Sequence, residues 1–211
     1  MKYFLLLWLC ISYLLSGQVQ AFTQSELAEF AKNTELKFAV NTNFTSATTP
    51  KPQAELILRN SSSVALRTGN WVLYFHSIRK LDSAVQQGLR LQHVQGDLHS
   101  LTPAKDFKGL EPGQQLNFSF APSSSLVSYS DWMPRAFITA TGLTPEIFAN
   151  TDTEDFSRFV EPYTQPEQLQ RFNQPGPDLY PIATSQSRFV LNQQQLSAFE
   201  KPEQLSIVPR P

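Results

Sequence analysis

The chain has 211 residues, with 17 Lys and Arg against 18 Asp and Glu and a formal net charge of −1. That length suggests one globular domain with accessory segments. The near-neutral balance argues against nucleic acid as a main partner, because phosphate binding needs a basic field.

Taken in chain order, the first feature is a leader. Lys2 supplies a positive start, Phe4 to Leu15 is apolar apart from Ser12, and Ser16-Gly17-Gln18-Val19-Gln20-Ala21 forms a polar region with Val19 and Ala21 at the −3 and −1 positions. This reads as a secretory signal peptide cut after Ala21. The run is shorter than the ~20 apolar residues of a spanning helix. The mature chain is therefore expected in the periplasm or secreted, free of the membrane. The one cysteine, Cys10, lies in this leader. Leu7-Trp8-Leu9 before it does not fit a lipoprotein signal. The mature fold is expected to stand without disulfides, on its core alone. The sequons at Asn43, Asn60 and Asn117 matter only in a eukaryotic secretory pathway. The leader and composition look bacterial, so they are read as chance.

Thr23-Gln24-Ser25-Glu26 opens a short helix with the spacing of a capping box, and Leu27, Phe30 and Ala31 form its apolar face. From Leu36 to Phe44 the apolar period becomes two, which signals a half-buried strand. Ala54 to Arg59 is a second strand, and Asn60-Ser61-Ser62-Ser63 is turn chemistry. Trp71 to Ile78 is aromatic and β-branched on both faces and reads as a central strand. Leu89 to Val94 and Asp97 to Leu101 form two shorter strands around Gln95-Gly96. Leu110-Glu111-Pro112-Gly113 is a turn before the alternating Gln115 to Phe120, and Arg135 to Thr141 is a last strand. Many short strands and little helix indicate a mainly β, antiparallel sandwich over residues 22–160. Residues 161–211 are rich in Pro and Gln and are expected as an irregular extension, with a short helix from Asn192 to Phe199.

Several separated segments resemble the N-terminal domain of bacterial chitobiases, the β-N-acetylhexosaminidases of glycoside hydrolase family 20. They are Trp71-Val72-Leu73-Tyr74-Phe75-His76-Ser77-Ile78-Arg79, His93-Val94-Gln95-Gly96-Asp97-Leu98-His99, Pro134-Arg135, Ala149-Asn150-Thr151-Asp152-Thr153-Glu154 and Ser187-Arg188-Phe189, in that order. The resemblance covers residues 35–198. It implies an immunoglobulin-like β-sandwich related to carbohydrate-binding modules. In full-length relatives an α+β domain and a catalytic barrel follow; here the chain stops near Ile207-Val208-Pro209, where the α+β domain would begin. The family's catalytic Asp-Glu pair has no counterpart position, so no catalytic residue is carried over.

Glu154-Asp155 is an adjacent acidic pair, read as a solvated or capping turn, since a catalytic dyad needs a pocket that separates the two pKa values. His93, Asp97 and His99 flank a hairpin turn and are read as hairpin hydrogen-bonders, with no metal expected. Asn150-Thr151-Asp152-Thr153-Glu154 alternates oxygen ligands but lacks the glycine and distal glutamate of an EF-hand, so capping by Asn150 and Asp152 is the better reading. His76, Ser77 and Asp82 do not form a nucleophilic triad, because there is no Gly-x-Ser-x-Gly elbow and His76 and Ser77 point to opposite faces of one strand.

Aromatic rings remain as carriers of function, since flat rings stack on sugar faces. Trp132, Tyr129, Trp71 and Tyr74 are the candidates for binding, with Arg135 as a polar partner that is also placed to pair with carboxylates near Asp152. Phe38, Phe75, Phe118 and Phe120 are expected in the core. The expected function is a non-catalytic carbohydrate-binding or accessory domain. Its partners would be N-acetylglucosamine-containing polysaccharide or oligosaccharide, bound weakly, and a catalytic hexosaminidase domain; no cofactor is expected. The alternatives are a structural interdomain scaffold or a fragment of a β-N-acetylhexosaminidase.

Overall fold

The computed structural model describes residues 22–44 and 51–169. The expected leader, the helix from Asn192 and the stretch near Ile207 lie outside them. The first helix among the described residues, α1 (Gln24–Asn33), begins as its sequence dictates. The Thr23 side chain accepts from the Glu26 N–H, and the Glu26 carboxylate accepts from the Thr23 N–H at 2.8 Å. Leu27, Phe30 and Ala31 are buried, and Phe22 closes over the helix start with its ring 5.7 Å from Phe30. Thr34, the C-cap, is already extended, and the chain passes directly into strand.

Among the described residues nine strands follow: β1 (Thr34–Thr42), β2 (Gln53–Asn60), β3 (Trp71–His76), β4 (Ala84–Gln86), β5 (Leu89–Gln95), β6 (Leu98–Pro103), β7 (Gln115–Phe120), β8 (Phe137–Ala140) and β9 (Glu146–Ile147). A one-turn helix, α2 (Pro166–Leu169), comes last among the described residues. All strand pairs are antiparallel. They form a three-stranded sheet, β1-β2-β7, and a six-stranded sheet, β4-β5-β6-β3-β8-β9. The sheets pack face to face: Phe38 of β1 lies 5.2 Å from Phe75 of β3. Burial alternates along β1, β2, β3 and β7, so one face of each strand makes the core. This is the expected antiparallel sandwich, with β3 at the centre of the larger sheet.

Two strands escaped the sequence. β4 is three residues long and exposed; what defines it is the two-residue turn Gln87-Gly88, with φ of 52° and 73°, matching a primed hairpin turn. A Cβ on Gly88 would sit 2.3 Å from the Phe107 nitrogen, so only glycine fits. β9 is two residues long, too short for any period. The last expected strand also starts later than its sequence suggests. Ser77 bridges Trp132 while Tyr74 pairs with Phe137, so two intervening residues on one side oppose four on the other. The surplus is taken up at Pro134-Arg135, with Arg135 left-handed at φ 65° and outside the strand.

Polar side chains complete the backbone pairing inside the protein. Asn60 is fully buried; its amide donates to the carbonyls of Val64 (2.8 Å) and Leu110 (3.1 Å) and accepts from Ser62 N–H and Oγ. Asn43, also fully buried, exchanges two hydrogen bonds with Leu126 at 2.6 and 2.9 Å. Two of the three sequon asparagines are thus core residues. Asn150 does the same work at the edge of β1, donating to Leu36 O at 2.8 Å and accepting from Leu36 N–H at 3.1 Å. That covers an edge open to pairing with other chains.

Asn60→Ala strips partners from several buried groups at once, each costing about 1–3 kcal/mol when left unpaired. Chemical denaturation is expected to show a loss of at least ~2 kcal/mol for Asn60→Ala, against less than ~1 kcal/mol for Asn117→Ala on the partly exposed face of β7.

Candidate functional site

The two tryptophans among the expected binding residues are core residues. Trp132 is 0% exposed, stacked on Phe38 with ring centres 4.4 Å apart and planes 6° apart, with Phe120 edge-on at 6.1 Å. It follows the 3-10 turn Tyr129–Asp131, whose buried Asp131 accepts from the N–H groups of Val127 and Ser128, so the turn drives the indole inward. Trp71 is 1% exposed; its indole N–H donates to Arg67 O at 2.7 Å and its ring meets Phe107 edge-on at 5.8 Å. Neither offers a face to a ligand, which corrects the expectation for both. In a chain with no disulfide, the largest apolar surfaces are drawn to the sheet interface, where they contribute most by burial.

The other three candidates do not assemble either. Tyr129 is partly exposed and lies against buried Tyr163, ring centres 5.2 Å apart. Arg135 is exposed, but its guanidinium is engaged: Nη1 reaches Glu154 at 2.9 Å and Nε reaches Asp152 at 3.2 Å, while its N–H donates to Thr151 O at 2.8 Å. Left-handed non-glycine backbone costs on the order of 1–3 kcal/mol, and these three contacts hold it. Arg135 therefore ties the bulge to the Asn150–Glu154 segment. Asp155 accepts from the Ser157 N–H, a turn cap, so both members of the acidic pair are engaged locally.

Tyr74 alone stands on an open surface. It points away from the core on β3 and stacks on Phe137 of β8, centres 5.1 Å apart and planes 24° apart, both rings partly exposed. Strand register extends this pair into a row. Ile147 opposes Phe137, Phe137 opposes Tyr74, Tyr74 opposes Ser100, and Ser100 opposes Gln92. Directly opposed residues share a face. The row thus crosses β9, β8, β3, β6 and β5 on the outer side of the six-stranded sheet. Ile147 is 41% exposed, and Arg90, two residues before Gln92, is exposed on the same face. Phe137, Ile147, Gln92 and Arg90 were missed from sequence. The alternation in β8 signals that Phe137 lies opposite Ile138, but which side is outward follows only from the sheet order.

All three histidines converge on the β5–β6 turn. His99 is fully buried, its Nε2 accepting from the Leu81 N–H at 3.1 Å and its Nδ1 facing Asp97 O at 2.9 Å. His93 Nε2 is bonded to Gly96 O, and His76 Nδ1 lies 3.2 Å from an Asp97 carboxylate oxygen. They hold the hairpin and the following loop together, as hydrogen-bonders. His76 is partly exposed and Ser77 buried, on opposite sides of the strand line, and Asp82 pairs with Lys51.

Burial pushes the His99 imidazole down from 6.5 to about 4, with the backbone bond to Asp97 opposing and the His93 charge adding to the fall. The unfolded chain therefore takes up a proton before the fold does. Stability is expected to be level above pH ~6.5, to drop as pH falls through the window from ~6.5 to ~4 by on the order of 3 kcal/mol, and to level again below it. Urea unfolding at several pH values checks this; His99→Gln is expected to flatten that part of the slope.

Comparison with known proteins adds a family. A model described as "Putative carbohydrate binding domain" matches residues 30–186. The N,N'-diacetylchitobiase of Vibrio harveyi is 32% identical over 96 residues, 46% of this chain and 11% of that protein. The beta-hexosaminidase of Vibrio vulnificus is 31% identical over 145 residues, 65% of this chain and 17% of that protein. The chain thus spans less than a fifth of the length of these curated relatives. Among solved structures, a GH20 exo-β-N-acetylglucosaminidase from Vibrio harveyi, in complex with N-acetylglucosamine, is similar at 19% identity with a TM-score of 0.38, over 55% of this chain and 17% of that one.

Proposed function

This chain belongs to the carbohydrate-binding domain family whose model spans residues 30–186, and we propose from that premise that it is a non-catalytic accessory domain of a β-N-acetylhexosaminidase system. It holds N-acetylglucosamine-containing glycan weakly and works beside a catalytic hexosaminidase domain. The observation that carries the reading is the open face of the six-stranded sheet, where the Tyr74–Phe137 stack is partly exposed while Trp71 and Trp132 are buried. A sugar presents axial C–H groups that pack on aromatic carbon, with a gain of about 25 cal/mol per Å² of apolar surface covered. Two partly exposed rings cover little area, hence weak binding. The Glu154-Asp155 pair does not supply chemistry, because one carboxylate is bound to Arg135 and the other caps a turn.

The scaffold reading draws on Ile78 and Val94, 50% and 47% exposed beside the β5–β6 turn, which suit a protein contact more than a sugar. Retention on insoluble chitin separates the two. Wild type is expected to be retained above a control protein, and Tyr74→Ala combined with Phe137→Ala to lose at least fivefold. Trp132→Ala serves as the folding control, losing about 3–5 kcal/mol of stability as buried aromatics do. Equal retention of wild type and the folded double variant would favour the scaffold. Turnover of a chromogenic N-acetylglucosaminide by the purified chain would defeat the non-catalytic assignment.

Export is part of the same proposal. Phe22 and Thr23, directly after the expected cut, already belong to the fold as core residue and helix cap. Expression from the native start in a bacterial host and sequencing of the mature N-terminus is expected to begin at Phe22; an intact Met1 on the recovered protein would contradict it.

A further inference from the structure

Resting on that reading, the geometry points to a more particular ligand: we propose that the outer face of the six-stranded sheet takes an extended, fully N-acetylated oligosaccharide laid across the strands. Two observations carry this, the length of the row and the uneven chemistry of its ends.

The row from Ile147 through Phe137, Tyr74 and Ser100 to Gln92 spans five strands. Four inter-strand steps of about 4.8 Å make it roughly 19 Å long. A single sugar ring covers a fraction of that length, and several linked rings are needed to cover it. The direction is set too. Within the row, apolar side chains run from β9 to β3 and polar ones from β6 to β5, while Val85 of β4, opposite Arg90, is exposed beside it. Ser100 is short and almost covered, which leaves a low point between the Tyr74 ring and exposed Gln92.

At the polar end stand Arg90 and Gln92, two residues apart on β5 and on one face. Among the described residues, neither side chain has a hydrogen-bond or ion-pair partner, and the Tyr74 hydroxyl has none. These groups are donors, and the matching acceptors on a glycan are acetamido carbonyls and ring-edge oxygens. The arginine guanidinium is a fixed positive charge. A deacetylated sugar carries an ammonium group instead of the neutral acetamide, so its chain would meet a fixed like charge on this face. The Asp97 carboxylate there lies 3.2 Å from His76 Nδ1 at the end of β3. The surface thus selects for an uncharged N-acetylated chain and against its cationic, deacetylated form.

The test titrates the full chain by calorimetry with N-acetylglucosamine oligomers of one to five units, and with the fully deacetylated tetramer at pH 5.5. Affinity is expected to climb at least tenfold from the monomer to the tetramer and then level off, with the deacetylated tetramer at least tenfold weaker than its acetylated counterpart. Gln92→Ala should weaken binding of the tetramer, and Arg90→Gln should shrink the discrimination between the two tetramers. Both positions are exposed, and an unchanged melting temperature confirms that the variants fold. Binding that is abolished by Tyr74→Ala but shows no dependence on chain length or acetylation overturns this inference and leaves the broader reading standing. Absence of binding to every oligomer overturns both.

Discussion

The stack of Trp132 on Phe38 is the contact on which this architecture turns. It joins the edge strand of the three-stranded sheet to the segment that enters β8 of the larger sheet. Phe75 and Phe120 close around it from the two sheets. A sandwich needs large inward side chains from both layers to fill the space between them. Here aromatic residues fill it, and the cost is functional: the flattest, largest rings in the domain are spent on cohesion and cannot meet a ligand.

Around that apolar centre, amide side chains act as pieces of backbone. Asn43, Asn60 and Asn150 each bond both an N–H and a C=O or several carbonyls of distant segments. Each lies where a loop leaves or meets a strand and no ladder partner is available. Buried main-chain groups must be paired, and an amide offers a donor and an acceptor in one plane. His99 extends the pattern with a ring nitrogen that accepts from Leu81. In a fold whose only cysteine, Cys10, lies outside the described residues, such side chains lock irregular segments that a disulfide would otherwise hold.

The outer face of the six-stranded sheet keeps side chains without partners among the described residues, Arg90 and Gln92. Several charged groups elsewhere have partners: Arg135 with Asp152 and Glu154, Lys37 with Glu35 and Glu161, Arg67 with Glu111. The segments that resemble chitobiase domains are largely absorbed by construction. The His76–Arg79 and His93–His99 stretches form a strand end and a hairpin, Pro134-Arg135 forms the bulge, and Asn150 to Glu154 forms its anchor. On the open face, Tyr74 comes from within the first of these segments, whereas Phe137 and Gln92 lie outside them.

Periodicity along the chain determined the fold class, the strands longer than five residues, the capping box at Thr23 and the core phenylalanines, because each depends on neighbours within a few positions. The order of residues also sufficed to recognise the family. It did not place the short strands β4 and β9, which exist only because a turn or a neighbouring strand presents an edge. Nor did it decide which aromatic residues are exposed. Trp71 and Tyr74 lie three apart in one strand, on opposite sides, and Trp132 lies in the connection that leads into β8 at Phe137; only the packing of one sheet on the other determines which of each pair is buried. Exposure is a property of what covers a face, and that cover comes from residues nearly a hundred positions away.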